Sequence, residues 1–402
     1  MTVREDAASI AGELTELRRA IHTDPEIGLG LPRTQEKVLA ALAGLPLEIS
    51  VGSSLSSVTA VLRGTGGDAT DGPAVLLRGD MDALPVTERT GVEYTSRIDG
   101  AMHACGHDLH TAMLAGAAKL LCARRSGITG SVVFMFQPGE EGYAGARYMI
   151  EEGVLDAAGK RPVAAYALHV ASSQLPFGVC STRPGTMMAA AEVLEVTVTG
   201  RGGHASQPHT AADPIPVACE MVTALQAFVT RKFDIFDPVV VTVGSFHAGT
   251  TDNVIPDEAR FLATVRSFSP ASRAHVREAA PALIRDIASA HGLPASAQFT
   301  KAYPVTVNDR DEASFAAGLI AEVLGEERAI LQANPLTGAE DFSYVLERVP
   351  GAFIMVGACP PGTDPATAPF NHSAEAVFDD SVLPDGATIL AELALRRLAS
   401  ST

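Results

Sequence analysis

Eight consecutive residues, His103-Ala104-Cys105-Gly106-His107-Asp108-Leu109-His110, hold three histidines and a cysteine. About thirty residues on, the chain reads Gln137-Pro138-Gly139-Glu140-Glu141-Gly142. Thiolate, imidazole and carboxylate together are the donors a borderline divalent cation prefers. A further carboxylate beside such an ion is what takes a proton from water held there. Of the two adjacent glutamates, one can bind metal while the other stays free to move a proton. Like charges this close need a cation or a shared proton to be tolerated.

These groups need elements to aim them, and four short apolar runs do so. Residues 74–77 lead into Arg78-Gly79-Asp80-Met81-Asp82, 131–136 into Glu140 and Glu141, 163–168 into His169, and 352–356 into the loop carrying His372. Continuous apolar strands alternating with amphipathic helices indicate an α/β fold with a mostly parallel sheet and helices on both faces. Ligands of such sheets bind beyond the carboxyl ends of the strands, where every one of these candidates falls. His169 and His372 then complete a metal set with Cys105, His107 and the glutamate pair. Asp82 is expected to orient a metal-bound imidazole, and Asp80 either does the same or caps a turn. Past Cys105, Leu109, Ala112, Met113, Gly116, Ala117, Leu120 and Leu121 recur at helical spacing. Cys105 and His107 therefore stand at a helix N-terminus, which favours thiolate.

The pattern changes between about 187 and 299. Residues 192–199 alternate with period two, and the order β-α-β-β-α with a closing strand near Gln298 is that of a split βαβ, ferredoxin-like α+β domain. The expected division is a discontinuous metal-binding domain, 1–186 and 300–402, with residues 187–299 inserted. Inside the insertion, His204 lies in a glycine-rich loop, and Asn253 and Arg266 lie near strand ends. Imidazole, amide and guanidinium suit an oxyanion and a substrate carboxylate, although each also fits an ordinary surface position.

Composition narrows the partners. Across 402 residues the formal net charge is −17, which repels nucleic acid and anionic membranes. The five cysteines are odd in number and scattered, so a disulfide framework is not expected and reduced thiols are free to bind metal. No apolar signal core opens the chain and no 18-residue apolar run occurs, so a cytoplasmic location is expected.

Seven stretches give the chain a resemblance to the M20 metallopeptidases, in their amidohydrolase branch of hippurate hydrolases, N-acyl-amino-acid amidohydrolases and auxin-conjugate hydrolases. They begin at Arg78, Met102, Gln137, Gly202, Asn253, Thr337 and Asn371, and include Gly202-Gly203-His204-Ala205, Thr337-Gly338-Ala339-Glu340-Asp341-Phe342-Ser343 and Asn371-His372-Ser373. The resemblance implies two divalent ions, zinc or manganese, held by Cys105, His107, Glu141, His169 and His372. It makes Glu140 the general base and then the acid that protonates the leaving amine. The inserted domain becomes a lid and the interface of a homodimer, with His204 stabilising the oxyanion, often across the dimer. Asn253 and Arg266 match substrate-binding positions. Other M20 branches place a metal-binding histidine where Asp80 stands, so that role is not carried over to Asp80. The implied reaction cleaves the amide of an N-acyl amino acid to a carboxylic acid and a free amino acid. A dipeptidase or an N-acetyl-diaminopimelate-type deacetylase would use the same centre. Intact Glu140 beside Glu141 argues against a metal-binding protein without catalysis, and chelation separates the metal reading from a Cys105 nucleophile activated by His107.

Overall fold

A computed structural model describes residues 1–66 and 72–400. The chain divides into two compact units, one of Met1–Met187, Val307–Asn334 and Asp341–Thr402, the other of Met188–Thr306 and Pro335–Glu340. These limits differ from the 187–299 insertion read from the sequence. The strand Ala295–Tyr303 runs through residue 299 because it pairs with Ala190–Thr199 over most of its length. A second segment also returns, where the Ala189 N–H donates to Leu336 O at 3.0 Å.

The larger unit is built on eight strands, in the order Leu47–Val51, Val58–Arg63, Ser131–Gln137, Ala74–Asp80, Ala164–Ala171, Gly351–Gly357, Cys180–Thr182 and Ala329–Leu331. The four from Ser131–Gln137 to Gly351–Gly357 are mutually parallel, and antiparallel pairings flank them. Every residue of Ala74–Asp80 and Ser131–Gln137 is buried, so both faces of these strands are covered and no alternation appears in their sequences. Each buried Val, Leu or Phe contributes about 1.5–3 kcal/mol, which makes the sheet centre a rigid base for the site. Register sets Asp80 beside Gln137 and His169 beside Met355, and so aligns the strand ends.

His107–Cys122 is helical, with fourteen of its sixteen residues buried. It starts at Gly106, whose φ is +80°. A Cβ there would meet Val170 Cγ2 at 2.3 Å, so glycine alone lets the helix begin against the sheet.

Beneath that helix, Ala11–His22 brings in a buried ion cluster. His22 Nδ1 lies 2.7 Å from Asp108 Oδ2 and its Nε2 3.2 Å from Glu88 Oε1. Arg18 Nε lies 2.7 Å from Asp108, its guanidinium covers Tyr94, and the His103 ring is 6.2 Å from that of His22. Burial opposes a charge on His22, but Asp108 and Glu88 outweigh it and raise its pKa above the ordinary imidazole value, against Arg18. A raised folded-state pKa gives stability that is full below about 6.5 and is lost as pH rises through the higher folded value. His22→Gln should therefore cost most near pH 6, roughly 1.5–3 kcal/mol for a charged buried hydrogen bond, and progressively less towards pH 9. Urea unfolding of both proteins across that range measures it, and a difference independent of pH would refute the protonated His22.

In the smaller unit, Val239–Ala248, Glu258–Ser267, Ala190–Thr199 and Ala295–Tyr303 form, in that order, an antiparallel sheet. Pro214–Lys232 and Pro270–Ala290 bury Val217, Met221, Leu225, Val276, Ala280 and Ile284 in one core with Leu194, Val196 and Phe261. The alternating burial of Glu258–Ser267 follows from cover on one face only. Among the described residues, no helix is long and apolar enough to cross a membrane.

Candidate metal centre

Cys105 stands at the centre of a cluster of donors. Its Sγ lies 3.4 Å from His169 Nε2 and 3.2 Å from His372 Nε2. Glu141 Oε1 is 3.0 Å from His372 Nε2 and 4.0 Å from His107 Nε2. The five ligand candidates are thus joined by short contacts, and Glu140 groups with His107 and Glu141.

Hydrogen bonds select the tautomers. His169 Nδ1 donates to Val170 O at 2.9 Å, which leaves the Nε2 lone pair facing Cys105. His107 Nδ1 faces Asp82 Oδ1 at 3.3 Å, and its buried Nε2 has no hydrogen-bond partner. An unsatisfied buried group of this kind costs about 1–3 kcal/mol, which a bound cation would remove. Burial pushes the His169 pKa well down, helped by His110, so its ring stays neutral. Burial acts the same way on His107, but Asp80 and Asp82 outweigh it and hold its pKa well above the usual value. Contacts with Cys105 and Glu141 raise that of His372 to about 10. His107 and His372 thus favour positive charge, and the sulfur, nitrogen and carboxylate donors of the cluster fit divalent ions.

His372 has a backbone φ of +74°, a conformation costing about 1–3 kcal/mol for a non-glycine residue. The fold holds it there. Its N–H donates to Ala104 O at 2.8 Å, while Asn371 Nδ2 donates to Val170 O at 3.0 Å and Asn371 Oδ1 accepts from the Ser172 N–H at 2.9 Å. Asn371 so pins the loop to the end of Ala164–Ala171.

Asp82 organises the glutamates. Its Oδ1 accepts the Glu140 N–H and its Oδ2 the Glu141 N–H, both at 3.0 Å. One carboxylate thereby faces His107 and fixes the turn carrying both glutamates, a turn that needs Gly139 at φ +71°. Glu140 is buried, its Oε1 accepting from the Asp341 N–H at 3.3 Å.

The pattern of Peptidase family M20/M25/M40 matches residues 76–396. The chain belongs to this family. Over 389 residues it is 37% identical to IAA-amino acid hydrolase ILR1-like 2 of Arabidopsis thaliana, covering 96% of this chain and 85% of that protein. Over 398 residues it is 34% identical to thermostable carboxypeptidase 2 of Saccharolobus solfataricus, covering 98% of each. The crystal structure of the YXEP protein of Bacillus subtilis, a dinuclear metal-binding peptidase of the M20 family, matches with a TM-score of 0.82 at 31% identity, covering 98% of this chain and 100% of that one.

This M20 chain is a hydrolytic enzyme. In it, Asp80 and His110 are bound to other partners beside the cluster. His110 Nδ1 lies 2.5 Å from Asp80 Oδ1, and its Nε2 accepts the Val170 N–H at 2.8 Å, so both ring nitrogens are committed. Burial disfavours the charge on Asp80, but Arg78 and the two histidines outweigh it and keep its pKa well below the carboxylate range. His103 is buried, and burial lowers its pKa to about 3, so it remains neutral.

The small unit places His204 and Asn253 side by side, and Arg266 near the end of the strand Glu258–Ser267. His204 pairs with Val254, and the Ala205 N–H donates to Asn253 O at 3.1 Å. His204 Nδ1 accepts from the Ser206 N–H at 3.2 Å, so Nε2 carries the proton and is exposed. This ribbon joins the sheet next to Glu258, through the Gly202 N–H to Asp257 Oδ1 at 2.7 Å. Arg266 lies eight residues further along Glu258–Ser267, roughly 26 Å from Glu258 at about 3.3 Å per residue.

Sequence reasoning left Arg78, Gln137 and Asp341 without roles, although all three fall in the matching stretches. Their side chains are buried and bonded to one another. For Arg78 and Gln137 the available signal was a polar residue directly following a wholly apolar run; Asp341, between Glu340 and Phe342, carries no such signal.

Proposed function

We propose that this enzyme hydrolyses the amide bond of N-acyl amino acids, releasing a carboxylic acid and a free amino acid. The observation that carries the reading is the Glu140–Glu141 pair, fixed by Asp82 beside Cys105, His107, His169 and His372. Likeness to an IAA-amino acid hydrolase and a carboxypeptidase supports a substrate ending in an amino acid. Cys105, His107, Glu141, His169 and His372 would hold two divalent ions, zinc or manganese. Bound there, the ions supply Lewis acidity toward the amide carbonyl and make water more acidic.

Glu140 takes the proton of the attacking water and returns it to the nitrogen as the C–N bond breaks. Asp82 keeps the His107 ring and both glutamates aimed at the reacting atoms. The His204 Nε2–H donates to the carbonyl oxygen as it gains charge. Asn253 offers an amide hydrogen bond, and Arg266 pairs with the substrate carboxylate.

Within one small unit His204 and Asn253 adjoin the start of Glu258–Ser267 and Arg266 lies near its end, which favours their serving different centres. We therefore assign His204 and Asn253 to the centre of a second copy, in a homodimer formed through the small units. Glu140→Gln and His204→Ala, each nearly inactive alone, should then complement when mixed under exchange. Half the dimers are mixed and carry one intact centre, so activity returns to about one quarter of wild type. No recovery in a mixture shown to exchange would place His204 at its own centre.

A panel of hippurate, N-acetyl amino acids, N-acetyl-diaminopimelate and dipeptides tests the substrate class. Hydrolysis of the N-acyl amino acids should lead. A tenfold or greater preference for dipeptides would make the enzyme a dipeptidase.

A further inference from the structure

We propose that Asp341 is a positioning residue for Glu140, acting through its backbone N–H while its side chain locks that N–H in place. This rests on Glu140 being the proton carrier. The Asp341 N–H donates to Glu140 Oε1 at 3.3 Å, from a segment with no strand or long helix to hold it. The restraint comes from the carboxylate. Asp341 Oδ1 accepts from Arg78 Nη2 at 3.1 Å and from Gln137 Nε2 at 2.7 Å. Asp341 Oδ2 accepts from the same amide at 2.9 Å and from the Ala146 N–H at 2.9 Å.

Those donors are themselves fixed. Arg78 Nε donates to Gln137 Oε1 at 2.9 Å, and Arg78 Nη1 pairs with Asp80. Arg78 and Gln137 stand on neighbouring parallel strands, two residues apart in register, and Ala146 is in the first turn of Gly145–Glu151. The side chains of Arg78, Asp80 and Asp341 are wholly inaccessible, so the attraction is little screened. Asp341 thereby ties the sheet edge to the loop whose N–H meets Glu140. A donor held this way needs no reorganisation during proton transfer, and it restrains the Glu140 carboxylate. Asp80 and Asp341 share the Arg78 cation, which accounts for two buried carboxylates lying close together beside the donor cluster.

Two substitutions and one combination test this. Asp341→Asn removes the charge, while Asp341→Glu keeps it but cannot satisfy the same donors with the backbone unmoved. Each should lower kcat roughly 10- to 100-fold, the scale of a small misplacement of a reacting group, with KM and metal content unchanged. In a Glu140→Gln background, the same changes should lower the residual rate less than about twofold, since they act through the group already lost. Losses as large there as in the wild type, or a kcat within about threefold of wild type for both single variants, would overturn the role. If Glu140→Gln alone keeps near-wild-type turnover, the general-base reading fails and the role of Asp341 falls with it.

Discussion

Glu140→Gln should give a folded, metal-loaded protein with kcat lower by roughly two to four orders of magnitude, the range for a positioned acid–base group. That is about 2.7–5.4 kcal/mol of barrier at 1.36 kcal/mol per decade. Glutamine keeps the size of the side chain, and its carbonyl oxygen can still accept from the Asp341 N–H, 3.3 Å from Glu140 Oε1. The backbone N–H of residue 140 still meets Asp82. What disappears is the capacity to hold a proton between its removal from water and its delivery to the amine. Both transfers belong to the transition state rather than to binding, so kcat falls with little change in KM. Steady-state kinetics with elemental analysis of the same samples measures this. A kcat within threefold of wild type would remove Glu140 from the chemistry.

Chelation of divalent ions should abolish turnover and lower the melting temperature. The cluster gathers sulfur and carboxylate donors around imidazole nitrogens, including the buried His107 Nε2 without a hydrogen-bond partner. An ion that binds only the folded chain stabilises it by about 4 kcal/mol at a thousand times its Kd, which for a chain of this size shifts Tm by roughly 5–10 °C. Turnover should return when zinc or manganese is restored. The experiment also separates the rival chemistry. A Cys105 nucleophile activated by His107 would draw on residues of the same cluster, but its rate would survive the chelator.

Much of the donor cluster was legible because its signals are local. A strand end followed at once by a ligand-type residue needs only a few residues to be recognised, and parallel register does the rest, as with Asp80 beside Gln137. Less legible is which imidazole is committed elsewhere. His107 and His110 are one helical turn apart, yet His110 gives one nitrogen to Asp80 and the other to Val170. The partners of those rings lie on other strands, and no spacing within 103–110 encodes them. Asp341 was less legible still. Its partners Gln137 and Arg78 are 204 and 263 residues distant in sequence, and a loop residue has no periodicity to reveal its burial. The end of the small unit escaped for a related reason. Ala295–Tyr303 continues past residue 299 through pairing with Ala190–Thr199, a partner roughly a hundred residues earlier.

His204 was read as an oxyanion stabiliser, Asn253 and Arg266 as substrate-binding residues, and the strand Glu258–Ser267 sets how far Arg266 lies from the end that adjoins the other two. Strand length, once fixed by pairing, is a ruler that composition cannot supply.

The most direct test titrates the metal-free enzyme with zinc or manganese, following bound metal and the release of amino acid from an N-acyl amino acid in the same samples. Turnover should rise from nothing and level off at about two equivalents per chain, as a two-ion hydrolytic centre requires. Turnover equal in metal-free and metal-loaded protein would contradict it.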